Sequence, residues 1–224
     1  MRTLQTPFNR FPADDFKPSI SKHPQIIVPF FTNGQKGAIM EDFPDLTEHC
    51  IGSEAVFDGT LLHIRKDTVR LPNGQTSVRE YTVHHGAVCI VPLFENGDVL
   101  LERQFRYALG QVITEIPAGK LDSADEDPRL AALRELREET GYIANTLIDL
   151  GPYYAACAYS TETIRMYLAK DLTASQRELD ADEFLNVFRV PLADAVRDVM
   201  DGKIPDAKTQ AALLRVWLLE HPQP

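Results

Sequence analysis

Apolar positions along the chain come mostly in short runs at strand spacing, broken at residues 73–74 and 96–97 by asparagine–glycine pairs. The run over 86–94, GAVCIVPLF, is almost wholly apolar, as expected of a strand buried on both faces. Upstream, Glu54–Phe57 and Leu61–Leu71 read as strands. Asn73-Gly74 then predicts a tight hairpin turn into Ser77–His84. That last segment alternates less cleanly, with Tyr81 and Val83 on one parity and Val78 on the other. Asn96-Gly97 predicts a second hairpin, leading from the apolar run into 98–105, DVLLERQF. Val112–Ile116, Leu147–Tyr154, Thr163–Ala169 and Phe184–Val190 are further strands. Leu192–Met200 and Ala207–Glu220 read as helices, the second capped by Asp206.

One helix stands between these strands, inside the stretch 119–143, GKLDSADEDPRLAALRELREETGYI. Asp127 suits the N-cap, and Pro128 suits the first helical position, where a missing N–H costs nothing. Ala131, Ala132, Leu133 and Leu136 supply a packing surface, and Gly141 fits the left-handed stop. Glu135 lies three residues before Glu138 and four before Glu139, so the three carboxylates project from neighbouring positions. Like charges at a helix carboxyl end oppose both one another and the helix dipole. A positive partner is therefore expected. Such hard oxygen ligands suit Mg²⁺ or Mn²⁺, although a solvated acidic helix face has the same spacing.

Mixed strands with a few helices predict an α/β sandwich with this helix docked on a sheet. A chain of 224 residues has room for a substantial core. No stretch approaches the roughly 18 consecutive apolar residues of a membrane span, which argues against a membrane partner. Cys50, Cys89 and Cys157 are isolated, so neither a zinc site nor a disulfide framework is indicated, and a reducing cytoplasm is the expected setting. The net charge of −10 argues against nucleic acid as a partner. It permits a phosphorylated small molecule, because bound divalent metal inverts the local field. Residues 1–39 differ from the rest: five prolines and five Lys/Arg against two acidic residues, a net +3. They lack the features of a secretory signal. One reading starts translation at Met40, because Lys36-Gly37-Ala38 can be encoded by a ribosome-binding sequence. The expected organisation is an N-terminal extension over 1–49, disordered or not native, a small β-sheet region over 50–84, and a main domain over 85–224.

The helix stretch resembles the Nudix box, G-x5-E-x7-R-E-U-x-E-E-x-G-U, with U a bulky apolar residue. Gly119, Glu126, Arg134, Glu135, Leu136, Glu138, Glu139 and Gly141 match, and Tyr142 takes the last bulky position. Six residues rather than five separate Gly119 from Glu126, an insertion in the loop before the helix, where length changes are tolerated. Beyond the box, Arg79-Glu80-Tyr81, His85-Gly86-Ala87-Val88, Arg103-Gln104-Phe105-Arg106, Glu115-Ile116-Pro117-Ala118-Gly119 and Asp206-Ala207-Lys208-Thr209 resemble the ADP-ribose pyrophosphatase branch of Nudix hydrolases.

The resemblance implies an α/β/α sandwich with a small N-terminal antiparallel sheet in front. It implies a Mg²⁺-dependent hydrolase that cleaves the diphosphate of ADP-ribose to AMP and ribose 5-phosphate, Mn²⁺ being an alternative metal. The alternatives are a pyrophosphatase for another nucleoside diphosphate derivative, such as a nucleotide sugar, or a nucleotide sensor without turnover. Glu135, Glu139, Glu138 and the carbonyl of Ala118 would hold the metal, with Glu126 auxiliary and Arg134 orienting them. The metal would offset the diphosphate charge and lower the pKa of an attacking water. Glu162, in Tyr159-Ser160-Thr161-Glu162, and Glu138 are the catalytic candidates. Arg79, Glu80 and Arg103 are the substrate-binding candidates, with Arg103 preferred to Arg106 because alternation sends the two to opposite faces. Dimers with an exchanged front sheet recur in this branch, so a homodimer is expected. One element departs: Ala155-Ala156-Cys157-Ala158 stands where related enzymes carry Ser-Pro-Gly before the loop glutamate.

Overall fold

The apolar run becomes β4 (Ala87–Pro92), and every residue in it is buried. Its two parities face different layers, as the pattern predicts. In the computed structural model, which describes residues 44–222 apart from 180 and 182, Val88 and Ile90 pack with Ala131, Ala132 and Leu136 of helix α1 (Pro128–Thr140). Ala87, Cys89 and Val91 pack instead with helices α2 (Leu192–Met200) and α3 (Ala207–Glu220). The sheet thus lies between α1 on one side and α2 and α3 on the other. This is the expected α/β/α layering.

Among the described residues, ten strands form three sheets. In front, β1 (His49–Asp58), β2 (His63–Arg70) and β3 (Thr76–Val83) make an antiparallel meander. The turn between β2 and β3 closes at Asn73-Gly74, where Gly74 takes φ 83°, a conformation costly for any residue with a Cβ. The central sheet runs β7 (Ala118–Lys120), β4, β9 (Ile164–Ala174), β8 (Tyr142–Tyr153), with β4 and β9 parallel. A third sheet orders β10 (Leu185–Pro191), β5 (Asp98–Arg106) and β6 (Gln111–Glu115).

The second expected hairpin forms only at its turn. Phe94 N–H bonds the Asp98 carbonyl at 2.9 Å, and a single bridge joins Leu93 to Val99. β4 and β5 then separate into different sheets, because β4 is already flanked by β7 and β9 while β5 is flanked by β6 and β10. The two-sided burial of β4 leaves no edge for β5 to join. Strand β7 has no counterpart among the sequence expectations, being three residues long and next to Pro117. Of the expected extension over 1–49, residues 1–43, with the reading that translation starts at Met40, lie outside the described residues, and β1 already begins at His49.

Candidate active site

Helix α1 begins and ends on its own sequence signals. The Asp127 carboxylate accepts from Arg129 N–H at 2.8 Å, Pro128 opens the first turn, and Gly141 ends it at φ 72°. Burying Ala131, Ala132 and Leu136 against β4 fixes the rotation of the helix. That rotation turns Glu135 and Glu139 inward, 8% and 3% exposed, while Glu138 stays at the rim. Glu139 Oε2 accepts from the backbone N–H of Ala118 at 3.0 Å. Beside it, a Cβ on Gly119 would stand 2.0 Å from the Glu135 carboxylate. Only glycine lets β7 lie against that carboxylate, so the inserted residue in the preceding loop leaves Gly119 at the cluster.

Arg134 is the cation of this cluster. Its guanidinium donates to Glu135 Oε1 at 2.8 Å, to Glu138 Oε2 at 3.2 Å and to Glu126 Oε1 at 3.3 Å. Glu126 also accepts from Asp122 N–H at 2.6 Å, which ties the pre-helix loop to the same network. One arginine does not offset the remaining charge. Burial, only partly countered by Arg134, pushes Glu135 up to about 7. Burial also raises Glu139, reinforced by the charges of Glu102, Glu135 and Glu183. Glu102, in β5, is fully buried, and neither carboxylate oxygen has a hydrogen-bond partner among the described residues.

Among the described residues no three acidic, histidine or cysteine side chains already converge as a metal cage. The donor set nevertheless fits a divalent cation: hard carboxylate oxygens, buried, in excess of their in-chain cations, with one carboxylate wholly unpartnered.

The remaining predicted residues lie at varied positions. Glu162 follows a turn in which Ser160 N–H bonds the Ala156 carbonyl at 2.9 Å, the local structure adopted without Ser-Pro-Gly. Its Oε1 stands 3.8 Å from His84 Nε2, and His84 Nδ1 accepts from Gly86 N–H, so the neutral ring carries its proton on the nitrogen facing Glu162. The loop is clamped to the front sheet: Thr82 N–H bonds Tyr159 O at 2.9 Å, Thr161 N–H bonds Thr82 O at 3.0 Å, and His84 N–H bonds Thr161 Oγ1 at 2.8 Å. In the front sheet, Arg79 pairs with Glu48 at 2.5 Å, and Glu80 stands across from Lys66. Arg103 is exposed, and strand alternation points it away from the face of Glu102. Arg106 shares the Glu102 face but is engaged with Glu115 through two bonds of 2.7 and 2.8 Å.

Three contributors escaped sequence reasoning: Glu102, Glu183 and the Glu115–Lys208 pair. Glu102 alternates in phase with buried Leu100, a signal that it points inward. Glu183, from the β9–β10 connection, carries no local motif that would have marked it.

A model of the NUDIX domain matches residues 83–213, and a model of the nucleoside diphosphate sugar hydrolase N-terminal domain matches 48–82. An ADP-ribose pyrophosphatase of Bacillus subtilis (strain 168) is 40% identical over 177 residues, 78% of this chain and 95% of the relative. An ADP-ribose pyrophosphatase of Mycobacterium tuberculosis (strain ATCC 25618 / H37Rv) is 39% identical over 173 residues, 74% of this chain and 81% of the relative. A crystal structure of an ADP compounds hydrolase superposes with a TM-score of 0.69 at 26% identity, covering 80% of this chain and 99% of that one. The chain belongs to the Nudix family.

Proposed function

We propose that this protein is a divalent-metal-dependent hydrolase that cleaves the diphosphate of ADP-ribose to AMP and ribose 5-phosphate. The buried, under-compensated carboxylates of α1 against Ala118-Gly119 carry the hydrolase reading, and the two relatives named ADP-ribose pyrophosphatase support the substrate. Glu135 and Glu139 would hold Mg²⁺, with Mn²⁺ able to replace it, assisted by Glu138 at the rim and the carbonyl of Ala118. Held by these residues, a divalent ion would offset the charge of the diphosphate and lower the pKa of an attacking water. Arg134 positions the carboxylates between turnovers.

Glu162 is the proposed base for that water, carried on the clamped loop with its Oε1 3.8 Å from His84 Nε2. Glu183 is a second candidate, because its charge acts on Glu102, Glu135 and Glu139 alike. Arg79 and Glu80 would contact the nucleoside, and Arg103 phosphate or the terminal ribose. All ten residues of β1 are exposed, Ile51, Val56 and Phe57 among them, which supports a homodimer covering the front sheet. The three cysteines are unpaired, as suits the cytoplasm, and among the described residues no helix is long and apolar enough to cross a membrane.

A second reading, hydrolysis of a nucleotide sugar, is favoured by the match of 48–82 to the nucleoside diphosphate sugar hydrolase N-terminal domain. The deciding experiment incubates the protein and Mg²⁺ with ADP-ribose, nucleotide sugars and dinucleotides and identifies the products. AMP with ribose 5-phosphate, formed fastest from ADP-ribose, is the expected outcome. Faster turnover of a nucleotide sugar moves the assignment to the second reading, and no turnover of any of them leaves a sensor.

A further inference from the structure

We propose that Glu102 of β5, outside the sequence motif, is a further carboxylate of the metal centre. The inference deepens the reading of the site as a divalent-metal hydrolase and rests on it. Glu102 is directly cross-strand from Glu115 of β6, an arrangement of like charges that ordinarily weakens a sheet. The neighbouring cations do not resolve the conflict on its behalf. Arg106 engages both oxygens of Glu115, and Lys208 Nζ reaches Glu115 and Asp206. Glu115 is therefore satisfied within the chain, while Glu102, 0% exposed, keeps both oxygens without a partner among the described residues.

A buried carboxylate with neither solvent nor an in-chain donor calls for a cation from outside. Its place in the sheet says which one. Glu115, its cross-strand partner, ends β6 three residues before Ala118 of β7, and the charge of Glu102 acts on Glu139. Glu139 in turn is held by Ala118 N–H at the edge of β7. Three elements thus border the same buried region: α1 with Glu135 and Glu139, β7 with its backbone, and β5 with Glu102, their carboxylates not drawn together as a cage. A divalent ion there answers the charge of all three carboxylates. Glu102 strengthens its binding either by direct ligation or through a water on the ion.

The test measures metal rather than turnover. Mn²⁺ alone is titrated into the full-length protein, followed by calorimetry and by the spin-resonance signal of free Mn²⁺, for wild type, Glu102→Gln and Glu102→Asp. Glu102→Gln is expected to weaken Mn²⁺ binding by about 10- to 100-fold, the range for residues supporting a metal site. Its metal-free Tm should rise, and its gain in Tm on adding Mn²⁺ should shrink. Glu102→Asp should recover part of the affinity. Glu102→Met, which fills the same space without charge, serves if the glutamine variant folds poorly. Unchanged Mn²⁺ affinity in a folded Gln or Met variant overturns this proposal while leaving the hydrolase reading standing. A wild-type protein that binds no Mn²⁺ overturns both.

Discussion

Glu115 and Glu102 stand opposite each other across β6 and β5, both nearly removed from solvent, and their surroundings differ. Around Glu115 the chain supplies its own cations, Arg106 and Lys208, and Lys208 also meets Asp206, the cap of α3. That network joins β5 and β6 to α3 and is complete without a ligand. Around Glu135, among the described residues, Arg134 is the cation at ion-pair distance, while Glu102 feels the charges of Lys208 and Arg106 without a hydrogen bond from either. Burial raises Glu115, but the bonds and charges of Arg106 and Lys208 outweigh it and hold the carboxyl below the usual range. Burial raises Glu135, Glu139 and Glu102, and there the neighbouring carboxylates push further in the same direction. Buried glutamate by itself says little about role; whether the chain also buries the matching cation separates a structural brace from a site built for something external.

The sharpest way to break the comparison is to neutralise one carboxylate on the under-compensated side. Glu139→Gln should lower kcat by at least about 100-fold, beyond the upper range for supporting residues of metal sites, while circular dichroism shows an intact fold. Near-normal turnover at saturating Mg²⁺ would remove Glu139 from the metal centre. On the compensated side the loss should be structural. Lys208→Met leaves Glu115 short of one cation and should cost about 3 kcal/mol, a fall of roughly 6–12 °C in Tm, with Mn²⁺ affinity retained. A variant that keeps its Tm but loses Mn²⁺ would place Lys208 in the site instead.

The two sides also respond to pH with opposite signs. Burial pushes Glu135 up to about 7 against an ordinary 4.5, so its stabilisation of the metal-free fold is full below the ordinary value and is lost as pH rises through about 7. The raised Glu102 and Glu139 act in the same direction. Glu115, being lowered, stabilises above 4.5 and ceases to do so as pH falls through its folded value. The Tm of metal-free protein should therefore fall between about pH 5 and pH 8, and added Mn²⁺ should flatten the fall. Because Glu115 is already ionised in both folded and unfolded chain over that interval, a metal-free Tm that stays flat or rises would show that the three buried carboxylates are not raised. The smallest effect concerns Arg103, on the strand face away from both clusters. Arg103→Ala should raise KM by several-fold, about 1 kcal/mol of a charge-assisted contact, with Tm unchanged; an unchanged KM excludes it from substrate binding.

The motif helix was legible to the residue, because caps, stop and packing face are all written locally: Asp127, Pro128, Ala131, Leu136 and Gly141 act within one helix length. So were the two-sided burial of β4 and both Asn-Gly turns. What followed the second turn was not, because a turn fixes direction for a few residues only, whereas sheet membership depends on which edges are already taken. In the site, Glu135 and Glu139 were legible from helical spacing. Glu102 was passed over because a single acid in a mostly apolar strand reads as a solvated position. Its burial depends on elements distant in sequence, β6 and β10 among them, which flank it in the sheet.

The clamp between Thr82 and the 159–161 loop has a consequence for protein engineering. The front sheet and the Glu162 loop share backbone hydrogen bonds, so they travel as one lever. A chimera that takes its front sheet from a relative must take the loop with it, or the loop loses the backbone partners that hold it. Hydrogen–deuterium exchange at Thr82 and Thr161 should accordingly slow together when a nucleotide settles against either part.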